Sequence, residues 1–171
     1  MSERAREVAM TVNGEHIGGR VDVRKTLVDY LRDDVGLTGS HAGCEHGMCV
    51  ASSVRVDGAV VRGCLILAVQ CDGIRVETIE GVSDSGEIAD LQEAFIRRNA
   101  LQCGFCTPGV LLGAQELLRA GCVPTRDQIR GHLSGNYCRC TGYQAIVDAV
   151  EEVARARRGG ETRELAPERT K

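Results

Sequence analysis

The chain has 171 residues, a formal net charge of -3 and 43% hydrophobic residues, enough for one or two small domains with modest cores. A charge so near neutral excludes a general nucleic-acid binder, and the longest apolar run, Leu65 to Val69, cannot span a bilayer. Two Phe, three Tyr and no Trp leave Val, Leu, Ile and Ala to fill the core, while nine cysteines need their own explanation.

Met1 to Glu7 mixes charges and leads into no apolar h-region, so no signal peptide is expected. Cysteine-rich and unexported, the chain is expected in the reducing cytoplasm, with metal ligation favoured over a disulfide framework.

Residues 7–23 predict a β-hairpin. Val8, Met10 and Val12 alternate, Asn13-Gly14 supplies a type I′ turn, and Ile17 to Val23 returns. Thr26 caps a short helix with Leu27, Val28 and Leu31 on its apolar face, ending near Gly36. Gly36, Gly39, Gly43 and Gly47 then surround Cys44 and Cys49. A chain so rich in glycine can fold tightly around a group and aim N–H groups inward. Ser53 to Val56 and Val60-Val61 flank Asp57-Gly58, a second hairpin signal. Cys64 opens the apolar segment Leu65 to Gln70, and Ile74 to Ile79 reads as a further strand. Together these make an α+β domain of ubiquitin-like proportions over 1–81.

Gly81 to Gly86 reads as a polar linker. Beyond it the apolar period changes from two to about 3.6. Ile88, Leu91 and Phe95 share one face, as do Val110 or Leu111, Ala114, Leu117 and Leu118. Thr125 with Gln128 makes a capping box ahead of Ile129 and Leu133, and a last helix follows Thr141. Residues 82–157 are therefore expected to form an all-α domain of four helices, and 158–171 a flexible tail.

Two cysteine sets carry the chemistry. In the second domain they are Cys103-x2-Cys106, thirty-one further residues, then Cys138-x-Cys140. Thr107 is expected to cap one helix, with Pro108 at its first position, and Thr141 with Gln144 to cap another. Two positive helix ends would then face four thiolates, a donor set for zinc or an iron–sulfur cluster. In the first domain Cys44-x4-Cys49 with Cys64 downstream matches plant-type ferredoxin spacing, which is not the usual zinc-knuckle spacing. The two sets together favour iron–sulfur.

The order of these motifs is family-like. Gly43-Cys44-Glu45-His46-Gly47-x-Cys49, Gly63-Cys64-Leu65, Gln102-Cys103-Gly104-Phe105-Cys106-Thr107-Pro108-Gly109 and Tyr137-Cys138-Arg139-Cys140-Thr141-Gly142-Tyr143 resemble the small iron–sulfur subunit of the molybdenum hydroxylases. This is the family of xanthine oxidase and aerobic carbon-monoxide dehydrogenase, and the resemblance covers residues 7–157. It implies a plant-type ferredoxin-like (β-grasp) domain followed by a helical iron–sulfur domain. It also implies two [2Fe-2S] clusters in series, a large partner subunit with the molybdenum–pterin cofactor, a medium partner subunit with FAD, and a dimer of heterotrimers. Electrons would pass from molybdenum to the Cys103/Cys106/Cys138/Cys140 cluster, then to the Cys44/Cys49/Cys64 cluster, then to FAD. The family's glutamine, matched by Gln102, hydrogen-bonds the pterin, and its last cysteine, matched by Cys140, lies against it.

One ligand position departs from the pattern. The family's first cluster uses a third cysteine where this chain has Ser52, after a glycine where it has Val50, and eleven residues still separate Ser52 from Cys64. Three outcomes are open: Ser52 ligates as an alkoxide, the cluster is incomplete or absent, or Cys71 takes over. The last is disfavoured, because a helical Leu65–Gln70 would put Cys71 roughly 10 Å along the axis from Cys64.

Cys71 and Cys122 are expected to be small buried residues, His41 and His46 to make loop hydrogen bonds, and His132 to lie at the surface. Arg139 reads as a partner of an anionic cluster or as plainly exposed. No residue here makes or breaks substrate bonds; the chain's part is to hold redox centres. Its Gly-Cys-Glu-His-Gly form resembles subunits of carbon-monoxide and aromatic or acyl-CoA dehydrogenases. The rival readings are a free-standing ferredoxin-like carrier and a zinc-stabilised interaction module.

Overall fold

A computed structural model describes residues 4–119, 121 and 123–159. The expected hairpin forms from β1 (Ala5–Val12) and β2 (Glu15–Asp22), paired antiparallel from Ala5↔Asp22 to Val12↔Glu15. Val8, Met10 and Val12 all point into the core, as their alternation requires. Asn13 (φ 51°) and Gly14 (φ 87°) make the turn, which needs positive φ at both positions. The Asn13 side chain has a second task. Its Oδ1 accepts the Thr78 N–H at 2.8 Å and its Nδ2 donates to Thr78 Oγ1 at 2.9 Å.

Thr26 Oγ1 accepts the Asp29 N–H at 3.2 Å and starts α1 (Leu27–Asp29), which runs on as a π-turn over Tyr30–Asp34. β3 (Ser53–Val56) and β4 (Ala59–Arg62) form the second hairpin around Asp57-Gly58. The late strand is shorter than expected, β5 covering Arg75–Glu77. It lies between β1, to which it is parallel, and β3, giving the sheet order β2-β1-β5-β3-β4. Val8, Met10, Val12, Leu27, Leu31, Val54, Ala68 and Val76 close one hydrophobic cluster.

The segment after Cys64 differs from the expected helix. Two separate 3-10 turns, Gly63–Leu65 and Ala68–Cys71, are divided by extended Ile66 and Leu67. The break lets the Ile66 carbonyl accept the Leu27 N–H at 2.7 Å and the Ala68 N–H reach Lys25 O at 2.9 Å. Docking to the start of α1 therefore outweighs a continuous helix.

The expected linker over Gly81–Gly86 is also corrected. Ile79–Asp84 is a helix, α2, and Ile79 and Val82 are buried three residues apart on its inner face. Gly81 is needed for close approach, because a Cβ there would come within 2.3 Å of Asn13 Oδ1. α3 (Ala89–Arg97), α4 (Thr107–Leu118), α5 (Arg126–His132) and α6 (Gln144–Gly159) follow, so α2 is a fifth helix beside the four expected. Leu91, Phe95, Leu112, Ile129, Ile146 and Val150 form the second cluster. Each such side chain contributes about 1.5–3 kcal/mol on burial. The Thr125/Gln128 capping box forms as expected. α6 includes Arg158 and Gly159, where a tail was expected to begin, and Arg157 is held to Asp90 by bonds of 2.8 Å. The rest of the expected tail, like Cys122, lies outside the described residues.

The sheet and the helices are joined by a charged cluster. Arg55 on β3 is 1% exposed and donates to Glu87 at 3.0 and 3.1 Å. Glu87 also accepts from Gln115 on α4 at 2.8 Å and from Arg119 at 3.1 Å.

Candidate metal centres

The helical cysteine set comes together as two sulfur pairs. Cys140 Sγ lies 3.5 Å from Cys103 Sγ. Two sulfurs on one tetrahedral metal with bonds of about 2.3 Å would stand about 3.8 Å apart, so this pair is close to ligating geometry. Cys106 and Cys138 are near enough for each to act on the other's thiol. Burial, then the neighbouring Cys138, pushes the Cys106 thiol up to about 12. For Cys138, burial is outweighed by hydrogen bonds from Thr141, Cys140 and Cys106, which hold its thiol below the ordinary value.

The local structure around this set differs from the expected caps. α4 begins at Thr107, with Cys106 in the capping position: the Cys106 carbonyl accepts the first helical bond, from Val110 N–H at 3.0 Å. Thr141 does not form a capping box with Gln144, whose amide bonds Asp148 at 3.2 Å. Thr141 Oγ1 instead lies 3.1 Å from Cys138 Sγ and accepts the Tyr143 N–H at 3.2 Å. The Tyr143 hydroxyl accepts the Cys138 N–H at 2.8 Å and donates to Asn136 O at 3.0 Å. Tyr143 therefore ties down the loop that presents Cys138, a role its place after Thr141-Gly142 did not signal. Gln102 Nε2 donates to Cys140 O at 3.1 Å, bringing together the two residues expected to share the pterin side.

The first set lies on the glycine-bearing segment and the sheet. The Cys49 N–H donates to Cys44 Sγ at 3.3 Å. Backbone N–H groups of Cys49 and His46 lower the Cys44 thiol to about 6, with Met48 adding to them. A sulfur cradled by several N–H groups suits an anionic centre. Ser52, just before β3, lies beside the backbone of Cys64 in the turn after β4. The Cys64 N–H donates to Ser52 Oγ at 3.3 Å, and Ser52 is 2% exposed. Gly43 sits close against the set, since a Cβ there would come within 3.2 Å of Cys49 Sγ and the sulfur would have to give way. The donor chemistry, the N–H cradle and the tight glycine segment all fit an iron–sulfur cluster. Among the described residues no three His, Cys, Asp or Glu side chains converge on one ion, while the Cys103 and Cys140 sulfurs form a close pair. Paired donors are what a two-iron cluster needs.

Cys71 is 1% exposed within the sheet's hydrophobic cluster, and burial raises its thiol. It packs as a small apolar residue, as expected. His46 Nδ1 bonds the Cys44 carbonyl and His41 Nδ1 bonds Phe105 O, so both histidines serve the loops. His132 is half-exposed, with Nε2 bonded to Gly113 O at 3.0 Å, and Arg139 is exposed.

Comparison with known proteins agrees with this chemistry. The family model of a [2Fe-2S] binding domain matches residues 78–151. Over 144 residues the chain is 54% identical to the nicotine 6-hydroxylase small subunit of Paenarthrobacter nicotinovorans, covering 84% of this chain and 87% of that one. It is 45% identical over 150 residues to the caffeine dehydrogenase subunit gamma of Pseudomonas sp. (strain CBB1), covering 86% and 90%. A crystal structure of quinoline 2-oxidoreductase from Pseudomonas putida 86 superposes with a TM-score of 0.85 at 45% identity, over 93% of this chain and 99% of that chain. Likeness of this order over most of both partners means that the chain belongs to the small iron–sulfur subunits that transfer electrons within the molybdenum hydroxylases.

Proposed function

We propose that this subunit holds two [2Fe-2S] clusters in series, one on Cys103, Cys106, Cys138 and Cys140, the other on Cys44, Cys49, Ser52 and Cys64. The observation that carries the reading is the 3.5 Å approach of the Cys103 and Cys140 sulfurs, with the Cys44 sulfur accepting the Cys49 N–H and Ser52 Oγ accepting the Cys64 N–H in the register of the missing cysteine. When bound, each cluster supplies a one-electron donor and acceptor. The protein's own contribution is to fix sulfurs, to offer N–H groups to negative charge and to keep both sites beside partner surfaces.

A large subunit with molybdenum–pterin would lie against Gln102 and Cys140, and a medium subunit with FAD would take electrons from the first set. Support for the former contact comes from the exposed Cys103 and from Leu101, Phe105 and Tyr137, 37%, 47% and 53% exposed around it. Apolar side chains left open beside an exposed ligand suit a partner-covered face better than a free carrier. The motif resemblance supports a dimer of heterotrimers, and the eight described free thiols support a reducing, cytoplasmic setting. No described helix is long and apolar enough to cross a membrane. Relatives named for nicotine, caffeine and quinoline point to nitrogen-heteroaromatic substrates for the complex.

Ser52 carries the finest part of the reading. Its hydroxyl must lose a proton to bind iron, as a bound metal makes possible. Metal and acid-labile sulfide analysis of the purified complex should give about four irons per copy of this chain. Ser52→Cys should keep that content and raise the first cluster's reduction potential. About two irons per chain, with a visible spectrum of one cluster type, would overturn the Ser52 assignment. Zinc in place of iron would favour the interaction-module rival.

A further inference from the structure

Both donor sets meet at Cys49. His41, from the glycine-bearing segment, stacks on Phe105 with ring centroids 4.6 Å apart and planes 15° apart. Its Nδ1 lies 2.8 Å from the Phe105 carbonyl oxygen, so Nδ1 carries the proton and donates it. Phe105 stands between Cys103 and Cys106 in the chain. On its other side the ring turns toward the first set. A Cβ built on Gly43 would be 3.3 Å from Phe105 Cε1 and 3.2 Å from Cys49 Sγ, so ring and sulfur both border that glycine.

A second contact starts from the same cysteine. The Tyr137 N–H donates to the Cys49 carbonyl at 3.3 Å, and Tyr137 immediately precedes Cys138. Cys49 is thus neighboured by the ring of the residue before Cys106 and hydrogen-bonded to the residue before Cys138. Packing alone does not account for the first of these. Phe105 is 47% exposed and stacks on a partly polar ring, so its burial contributes little compared with a core phenylalanine.

We propose that the Phe105 ring, held by His41, and the Cys49–Tyr137 hydrogen bond form the bridge across which an electron passes between the two donor sets. His41 is a positioning residue in it. With both clusters bound, one electron would leave the centre held by Cys103, Cys106, Cys138 and Cys140, oxidising it by one equivalent, and would reduce the centre held by Cys44, Cys49, Ser52 and Cys64 by one. No proton moves and no bond is made or broken at the bridge. The inference rests on the two-cluster reading above.

The test compares the purified wild-type complex with Phe105→Ala, His41→Ala and His41→Phe. It measures iron content, the spin–spin splitting between the two centres in the EPR of the fully reduced complex, and the rate of flavin reduction after rapid mixing with substrate. Phe105→Ala and His41→Ala should keep wild-type iron and a splitting that shows the centres have not moved, and should slow flavin reduction. His41→Phe, which restores a stacking ring, should recover the flavin rate. If Phe105→Ala loses iron, the His41 pair decides by the same criteria. Full iron with wild-type splitting and flavin rate in both alanine variants would overturn the bridge alone. Two irons per chain in the wild-type complex would overturn the two-cluster reading and the bridge with it.

Discussion

Val50 carries the clearest backbone strain near the first donor set. Its φ is 61°, a region a β-branched residue rarely enters, and the family pattern has glycine there. The conformation persists because its carbonyl is fixed: Ser53 Oγ donates to it at 2.7 Å and Ser53 N–H at 3.3 Å. Left-handed geometry costs a non-glycine residue about 1–2 kcal/mol. Against that, the side chain is 8% exposed and packs against Gly135, and burying a valine contributes about 1.5 kcal/mol or more. The two nearly cancel. Val50→Gly should therefore change unfolding free energy by less than about 1 kcal/mol, by urea titration of the isolated chain. The same change at Val54, fully buried in regular β3, should cost about 3 kcal/mol through cavity and backbone entropy. Equal losses at both positions would show that Val50 is not strained.

At the scale of elements, the first turn of α4 is pressed against the strained loop. A Cβ on Gly109 would stand 2.4 Å from the Val50 carbonyl, a contact with backbone that no rotamer can relieve. Gly109→Ala should push helix and loop apart and cost more than about 2 kcal/mol, although alanine is the better helix former. A melting temperature at or above that of the wild type would show that the two elements do not meet this closely. The same helix takes part in the clamp around Glu87. Burial acts to raise that carboxyl, but hydrogen bonds from Arg55 and Gln115 and the charges of Arg55 and Arg119 outweigh it and lower it to about 2. With its ordinary value at 4.5, the charged form stabilises the fold above about pH 4.5, and the contribution is lost as pH falls toward 2. It amounts to on the order of 2–3 kcal/mol at neutral pH. Glu87→Gln should lower stability at pH 7 and flatten its decline between pH 5 and 2, roughly the interval in which the wild type titrates. An unchanged acid limb in chemical denaturation would remove Glu87 from the clamp.

For the whole molecule, the helical cysteine set joins distant parts of the chain. Cys103 and Cys106 precede α4, while Cys138 and Cys140 close the loop before α6, so a centre shared by all four ties two helices together. Cys106→Ser should cost about two irons per chain, one [2Fe-2S] cluster, and abolish that cluster's EPR signal and electron delivery to flavin. Normal turnover in the variant would exclude the assignment.

Much of this was legible in the residues themselves, because short-range rules govern it. Asn13-Gly14 and Asp57-Gly58 dictated their hairpins through positive φ, and Thr125 with Gln128 capped α5 through contacts three residues apart. The cysteine spacing announced iron–sulfur chemistry, since few donor sets have that composition and order. What the sequence could not determine depends on partners far away in the chain. Gly81 to Gly86 has linker composition, yet Ile79 and Val82 find an apolar surface and Asn13 fixes the helix start across 65 positions. The 63–71 segment gives up a continuous helix for bonds to Lys25 and Leu27. Thr141 leaves its expected cap to serve the Cys138 thiol, and His41 finds Phe105 across 64 positions. Local propensities amount to tenths of a kcal/mol per residue, whereas each satisfied buried group contributes about one or more, so tertiary contacts prevailed wherever the two disagreed.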